Sequence, residues 1–464
     1  MAIADAAQPV ARNPFLAQLA DRTGWIFAAI AVIIPNIPFL ALSIFVCPNR
    51  VMSIALYVFV ALAARSLAVW LSIALLAAVV FFDVVQVISG VFDLSPLMIV
   101  DSLKYAVAFD IFASPAYLIV VALLTATTAL TGYLIARYRD AIRTAPLLPA
   151  LLCAFAVFIF DYAANARTQK ALGFLLKTQV EFDSAIGQSG LTPPTVANKG
   201  HNMLFVMVEG MGAFADPKHR ALLTDRLEKA GLDDRYTVSH GLNTYVGSTT
   251  GAESRELCGR WGDHRDYLDG AAHPECLPAQ LAERGYDTAA FHAFTGEFFE
   301  RSLWYPKIGF KHASFREQLD ASPMPRSKVS CGLTFTGLCD LDVANHVEKY
   351  LAERTDKPRF AYWLTLNTHM PIAPDEGTDR LSCPDGGPFG DRTVCDMTEM
   401  WIDVLDRVAQ MAANPDLAGT DIIVVGDHHP PIWTRHGRSL FAPGSVAWMA
   451  LKAKDPAPVR HASR

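Results

Sequence analysis

Residues 421–431 read DIIVVGDHHPP. The short apolar run has no polar alternation, which predicts a strand buried on both faces, as in a parallel sheet. Asp427, His428 and His429 follow it at once. In open parallel sheets, functional groups gather just past the carboxyl ends of strands. The same pattern recurs three times upstream. The strand Met203–Val208 (MLFVMV) is followed by Glu209, Asp287–Phe291 by His292, and Phe360–Leu366 runs on through Asn367 and Thr368 to His369. One histidine after a strand is usually an ordinary loop residue. Four strands ending in carboxylate or imidazole groups point to one shared site. Helical patterns at Leu277–Arg284, Val343–Glu353 and Met400–Ala412 each lead into one of these strands. Residues 200–454 are therefore expected to form a doubly wound α/β domain, mainly parallel, with helices on both faces. Asp455–Arg464 reads as a disordered polar tail.

The front of the chain is of another kind. Residues 1–165 are rich in Ala, Val, Leu, Ile and Phe, and none of the 13 histidines precedes His201. Five stretches are apolar enough to span a bilayer: Trp25–Val46, Val51–Ala64, Leu67–Ile88, Ala116–Ile135 and Leu147–Tyr162. The second is short. Arg12 and Arg22 precede the first span, and Arg137, Arg139 and Arg143 separate the fourth from the fifth. Five spans put both basic segments on the cytoplasmic side and the α/β domain outside. Leu94–Phe112, between the third and fourth spans, reads either as helices at the outer interface or as a plain connecting loop. Residues 166–199 are expected to hold an interfacial helix (Ala163–Val180) and a linker (Gly187–Lys199).

Six of the eight cysteines, Cys258, Cys276, Cys331, Cys339, Cys383 and Cys395, fall in the α/β domain. An even count suits three disulfides in an oxidising compartment, and the spacing invites sequential pairing. Zinc ligation by thiolates is the alternative, but no CxxC spacing supports it. The net charge of -6 comes without a basic stripe, so nucleic acid is not an expected partner.

Glu, Asp and His together with a deprotonated hydroxyl make a mixed oxygen and nitrogen set suited to Zn²⁺ or Mn²⁺. Such an ion acidifies a coordinated hydroxyl and offsets phosphoryl charge. Thr244–Cys258 (TYVGSTTGAESRELC) can supply the hydroxyl. Gly247 permits a tight turn, Ser248, Thr249 and Thr250 crowd a helix start, and the backbone N–H groups there can face an anion. An isolated STT at a helix start would be read as an ordinary cap. Asp263-His264 is a second Asp-His pair; it follows no strand and is read as a surface loop.

These residues resemble a family. The chain is similar to the membrane sulfatase-like enzymes of the alkaline phosphatase superfamily, in particular the lipoteichoic acid synthase (phosphoglycerol transferase) and phosphoethanolamine transferase branches. VMVEG resembles the first-strand motif and implies Glu209 as a metal ligand. VGSTTGAESRELCG resembles the nucleophile segment and implies Thr249, with Thr250 as second choice. FHAFTGEFFERSLWYPKIGF implies substrate contacts from His292 and Arg301, and TLNTHMP implies one from His369. VVGDHHPP implies Asp427 and His428 as ligands, and RHGRSLFAP implies His436 near substrate. DHHPP stands where many members carry Asp-His-Gly or Asp-His-Tyr, and Phe299 stands where the synthase branch has tryptophan.

The resemblance implies a membrane-anchored transferase of the bacterial cell (inner) membrane, with its catalytic domain on the periplasmic or extracytoplasmic side. A metal site of Glu209, Thr249, Asp427 and His428, with Zn²⁺ first and Mn²⁺ second, would serve Thr249 as nucleophile. A membrane phospholipid would be the donor and a lipid or glycan hydroxyl the acceptor. The alternatives are a hydrolase of the same superfamily and a non-catalytic membrane sensor or transporter. A sulfatase activity is not expected, because the nucleophile segment lacks a Cys/Ser-x-Pro-x-Arg pattern.

Overall fold

The computed structural model describes residues 14–45, 47–92, 94–165, 180–373 and 376–454. Val46, most of the expected interfacial helix (166–179) and the tail from Asp455 lie outside the described residues. The chain forms two compact units, Met1–Val91 with Pro115–Leu176, and Phe92–Ser114 with Lys177–Arg464.

In the first unit, four described helices are long and apolar enough to cross a bilayer: Arg22–Leu42, Val69–Phe92, Pro115–Arg137 and Leu148–Asn165. The second expected span forms the helix Val51–Ala63. Its length, roughly 20 Å at 1.5 Å per residue, falls short of a hydrocarbon core of about 30 Å. The expectation of five apolar helices therefore stands with four of spanning length. Arg50, at the start of the short helix, is fully buried. Its guanidinium donates to Asp83 (2.9 and 2.5 Å) and Asn36 (2.8 Å), and its N–H donates to Asp161 (2.9 Å). Buried charge is tolerated only when paired and hydrogen-bonded in this way. Asp83 is thus tied to Arg50, an arrangement suited to holding helices together more than to lining a transport path.

The second unit is built on one sheet of eight strands. These are β1 (Met203–Val208), β2 (Gly212–Phe214), β3 (Tyr236–Thr244), β4 (Asp287–His292), β5 (His312–Ser314), β6 (Arg359–Leu364), β7 (Asp421–Gly426) and β8 (Phe441–Ala453). The order is β2-β8-β7-β1-β6-β4-β5, with β3 also paired to β8. β7, β1, β6, β4 and β5 run parallel, whereas β8 is antiparallel to β7, β2 and β3. The expected parallel core is present, and the antiparallel end is an addition to it. β8 hides from periodicity because Pro443 and Gly444 interrupt its exposed start.

β1 shows why this sheet needs helices on both faces. Leu204, Val206 and Val208 point into one layer with Leu223, Val347, Trp401 and Leu405. Met203, Phe205 and Met207 point into the other with Leu257, Leu281 and Trp304. This is the period of two of a strand with no solvent face, and each such side chain contributes roughly 1.5–3 kcal/mol on burial. The stretch read as a linker, Gly187–Lys199, instead carries two short helices, Ala185–Ser189 and Pro193–Lys199. Leu191 and Val196 anchor them in the second layer. Residues 94–112 form the helix Pro96–Ser102 followed by 3-10 turns, and they belong to the unit of the sheet.

The six cysteines pair sequentially, Cys258–Cys276, Cys331–Cys339 and Cys383–Cys395, while Cys47 and Cys153 are free. Alkylation of the denatured, unreduced chain followed by peptide mass spectrometry should label Cys47 and Cys153 alone. Replacing Cys258 and Cys276 together with serine should lower stability by about 3 kcal/mol, the chain-entropy value for a loop of this size. Labelling of any of the six would contradict the pairing.

Candidate metal and nucleophile site

Because β7, β1, β6 and β4 are neighbours, the residues that follow them meet at one crevice. Glu209, after β1, is fixed through its backbone: its N–H donates to Thr365 Oγ1 (2.9 Å), and its carbonyl accepts from Thr368 Oγ1 (2.8 Å). Asp427, after β7, accepts from the N–H groups of Gly210 (2.7 Å) and His428 (2.6 Å), both at Oδ1. Its Oδ2 is buried without a hydrogen bond, although His428 Nε2 lies 3.3 Å away. Only glycine fits at 426, where a Cβ would lie 1.7 Å from Met211 O. His428 donates its Nδ1–H to the His429 carbonyl (3.0 Å), which aims Nε2 at Glu209 Oε1 (3.0 Å).

The segment Thr244–Cys258 closes over this group. The helix Thr249–Cys258 begins after an extended Ser248, and Gly247 takes a left-handed φ of 82°. A Cβ at Gly251 would lie 2.6 Å from the Val246 carbonyl, so the turn can close only over a glycine. Thr249 Oγ1 is 3.1 and 3.2 Å from the two Glu209 carboxylate oxygens. Thr250 is directed elsewhere, with its hydroxyl 3.2 Å from Ser248 Oγ. Arg255, one turn and a half further on and fully buried, straps the helix to the end of β7. It donates to the carbonyls of Gly426 (3.1 Å) and Asp427 (3.3 Å) and to Glu256 (2.7 Å).

Glu209, Asp427 and His428 offer ligand atoms that all lie within 4.8 Å of one another. Burial and the charge of Glu209 raise the Asp427 carboxyl well above the usual carboxylate range. Burial also opposes charge on Glu209, yet the hydrogen bond and charge of His428 hold it below that range. His428 is raised because Asp427 and Glu209 outweigh its own burial. Two buried carboxylates, one with an unbonded oxygen facing an imidazole, are a donor set that fits a divalent cation. Thr249 Oγ1 stands where it can join them.

The remaining expected residues divide. His369 is close, with Nε2 3.8 Å from Glu209 Oε1, and burial lowers its pKa. His292 is buried at the end of β4 and donates Nδ1–H to the Leu364 carbonyl (3.1 Å), which leaves Nε2 as an acceptor. Burial and the charge of Arg301 push its pKa down to about 3. Arg301 is buried and held by Glu253 (3.3 and 3.4 Å). His436 turns to the Phe389 carbonyl (2.8 Å), and no hydrogen bond joins it to the cluster among the described residues. The pair Asp263-His264 is not a plain surface loop: His264 is buried, 5.2 Å ring to ring from Phe299.

Sequence reading missed Glu253 and Arg255. Glu253 also accepts from Tyr305 and from Tyr362 (3.1 Å), so it fixes Arg301 from behind. Their only trace in the sequence is an excess of charge in AESREL, a helix whose ten residues are all buried.

The chain belongs to the sulfatase family, whose model matches residues 201–442. This family lies within the alkaline phosphatase superfamily of metal-dependent enzymes. Among solved structures, the chain is similar to the lipoteichoic acid synthase LtaP of Listeria monocytogenes, with 18% identity and a TM-score of 0.42, covering 55% of this chain and 66% of that one. It is similar to the phosphoglycerol transferase GacH of Streptococcus pyogenes, with 14% identity and a TM-score of 0.39, covering 60% and 77%. It is also similar to the phosphonate monoester hydrolase SpPMH of Silicibacter pomeroyi, with 12% identity and a TM-score of 0.31, covering 55% and 68%. The chain thus spans just under two thirds of the length of the synthase. No curated protein sequence matches it.

Asp427→Ala should lower the bound divalent metal, measured by elemental analysis after gel filtration, by at least about tenfold, since lost ligands weaken sites by that order or more. Arg255→Met should keep the metal ligands but reduce occupancy less severely. Equal metal content in Asp427→Ala and the parent would remove Asp427 from the site.

Proposed function

We propose that this chain is a membrane-anchored, metal-dependent phosphotransferase acting outside the cytoplasm. It moves a phospho-alcohol headgroup, phosphoethanolamine or phosphoglycerol, from a membrane phospholipid through a phosphothreonine at Thr249 to a hydroxyl of a lipid or glycan. The observation that carries this reading is the Thr249 hydroxyl at a helix start, 3.1 Å from a carboxylate of a buried Glu–Asp–His cluster.

Glu209, Thr249, Asp427 and His428 would hold the ion, with Zn²⁺ first and Mn²⁺ second for a set of oxygens and one imidazole. A bound divalent ion supplies charge compensation at the phosphoryl oxygens and acidifies the Thr249 hydroxyl. The chain's own residues do the rest. Thr249 Oγ1 forms a bond to phosphorus as the bond from phosphorus to the diacylglycerol oxygen breaks. One proton leaves the threonine and one arrives on the departing oxygen. An acceptor hydroxyl then gives up its proton and forms its bond to phosphorus as the bond from phosphorus to Thr249 Oγ1 breaks, and a proton returns to Oγ1. Dividing one displacement into two makes each easier. The helix N-terminus directs N–H groups at the phosphoryl oxygens, and Arg301, locked by Glu253, offers fixed positive charge beside them. His292, with Nδ1–H engaged, presents a lone pair suited to a substrate hydroxyl. His369 flanks the phosphoryl position. His436, held by Phe389, stands apart from this inner set. The paired cysteines support the extracytoplasmic side, and the helices of spanning length support anchoring in a membrane.

Thr249→Ala should abolish turnover of a phospholipid donor and leave the fold intact, since one lost hydroxyl at a helix start costs only about 1 kcal/mol. Thr250→Ala should keep substantial activity. Trapping with labelled donor, followed by peptide mapping, should place phosphate on Thr249. Label on Thr250, or good turnover by Thr249→Ala, would refute the assignment. Discharge of the trapped adduct to water as fast as to added acceptor would make the enzyme a hydrolase.

A further inference from the structure

Residues 94–112 join two helices of bilayer-spanning length, Val69–Phe92 and Pro115–Arg137, yet they pack as part of the α/β unit. Their inward side is aromatic. The Tyr105 ring lies 5.3 Å from Phe298 and 5.7 Å from Phe299, and Phe109 lies 4.9 Å from Phe335. These partners reach the site: Phe335 is 4.5 Å from His369, and Phe299 lies 5.4 Å beneath the Arg301 guanidinium. Lys104 bonds Glu300 (3.0 Å), and the N–H of Asp110 bonds the Thr334 carbonyl (3.0 Å), so the segment is fastened at two points.

The outward side has the opposite character. Leu97, Val100 and Leu103 recur every third residue on one side of the turns, and all three are exposed. Leu97 and Phe112 are each 76% exposed. An apolar stripe of this kind, on a segment bounded at both ends by spanning helices, matches the surface layer of a bilayer, where an amphipathic segment lies flat with its apolar face in the acyl boundary. A soluble protein partner would need no such tether.

We infer that residues 94–112 form a lip of the α/β unit that seats Leu97, Val100, Leu103 and Phe112 on the lipid surface while Tyr105 and Phe109 wall the Arg301 and His369 side of the site. The lip rests on the proposed reaction only for its purpose, which is to let a phospholipid reach Thr249 without leaving the bilayer surface. Its seating on lipid is a separate claim.

The test uses the full chain in vesicles of phosphatidylethanolamine and phosphatidylglycerol with labelled acyl chains. Photoreactive p-benzoylphenylalanine at Leu97, Val100 or Phe112 should give lipid adducts. At Lys218, an exposed position on the helix Pro217–Glu228, it should give none. Adducts to protein alone, or lipid labelling as strong at Lys218, would overturn the proposal. A Leu97→Asp/Val100→Asp variant should lose about tenfold in turnover of the vesicle phospholipid while a soluble aryl phosphodiester is cleaved within about twofold of the parent rate. Equal loss on both substrates would make the stripe merely structural and overturn the proposal. Lipid adducts from a parent protein that turns over neither substrate would uphold the seating and refute the reaction.

Discussion

Glu209 and Asp427 carry two carboxylates into one buried crevice, and everything around them serves to hold that unfavourable pair in place. In a medium of low effective dielectric, like charges a few ångströms apart repel by several kcal/mol. His428 offsets part of this, while the buried Arg301 is paired to Glu253. The backbone compensates by geometry. Two N–H groups saturate Asp427 Oδ1, two threonine hydroxyls clamp the peptide units of Glu209, and Thr249 Oγ1 and His428 Nε2 hold the Glu209 carboxylate. Burial and the charge of Glu209 raise the Asp427 carboxyl above its ordinary range, and a cation bound there would relieve the same repulsion.

The helix Thr249–Cys258 carries the second half of the constraint. It buries Glu253, Arg255 and Glu256, three charges that would each be costly alone. Each is used to join separate parts of the chain. Glu253 gathers Arg301, Tyr305 and Tyr362; Arg255 holds the carbonyls after β7; Glu256 accepts from Asn243 on β3 and from the N–H of Ala185. The position of the Thr249 hydroxyl is therefore set by contacts well away from it. A one-residue rotation of this helix would put Thr250 at Glu209 and break all three sets, so the choice between adjacent threonines is made by the charges behind them.

What could be read from the sequence follows the range of the forces involved. The four strand endings were legible because burial on both faces writes an unbroken apolar run, and because parallel topology brings carboxyl ends together whatever the strand order. Strand order itself was not legible, nor were β3 and β8, whose exposed and interrupted stretches lack a period. Glu253 and Arg255 were invisible for a different reason: their partners lie 48 and about 170 residues away, and a charge in a helix looks solvated until the fold covers it. His264 went the same way. The short apolar helix Val51–Ala63 was legible from composition, whereas the polar cluster that anchors Arg50 at its start was not, because it is assembled from three other helices.

Under the proposed mechanism transfer and hydrolysis would differ only in what reaches the phosphothreonine in the second step, so the surroundings of Thr249 would bear on the reaction as much as Thr249 itself. In the proposed scheme water must be kept from competing with a far scarcer hydroxyl. On the Arg301 and His369 side the crevice is walled by Phe298, Phe299 and Phe335, rings that offer water no hydrogen bonds. Exclusion of water also strengthens each electrostatic contact to the phosphoryl group. His292, whose Nδ1–H is taken by the Leu364 carbonyl, has a lone pair and no proton at Nε2. In the proposed scheme that lone pair would accept a hydrogen bond from the incoming alcohol and orient it toward phosphorus. In the same scheme phosphoryl oxygens, which need donors, would be served by the helix N-terminus and Arg301. The two faces of the proposed site would thus be chemically distinct, donors toward phosphate and an acceptor toward the incoming hydroxyl, and the aromatic wall, not the acceptor, would be what disfavours water.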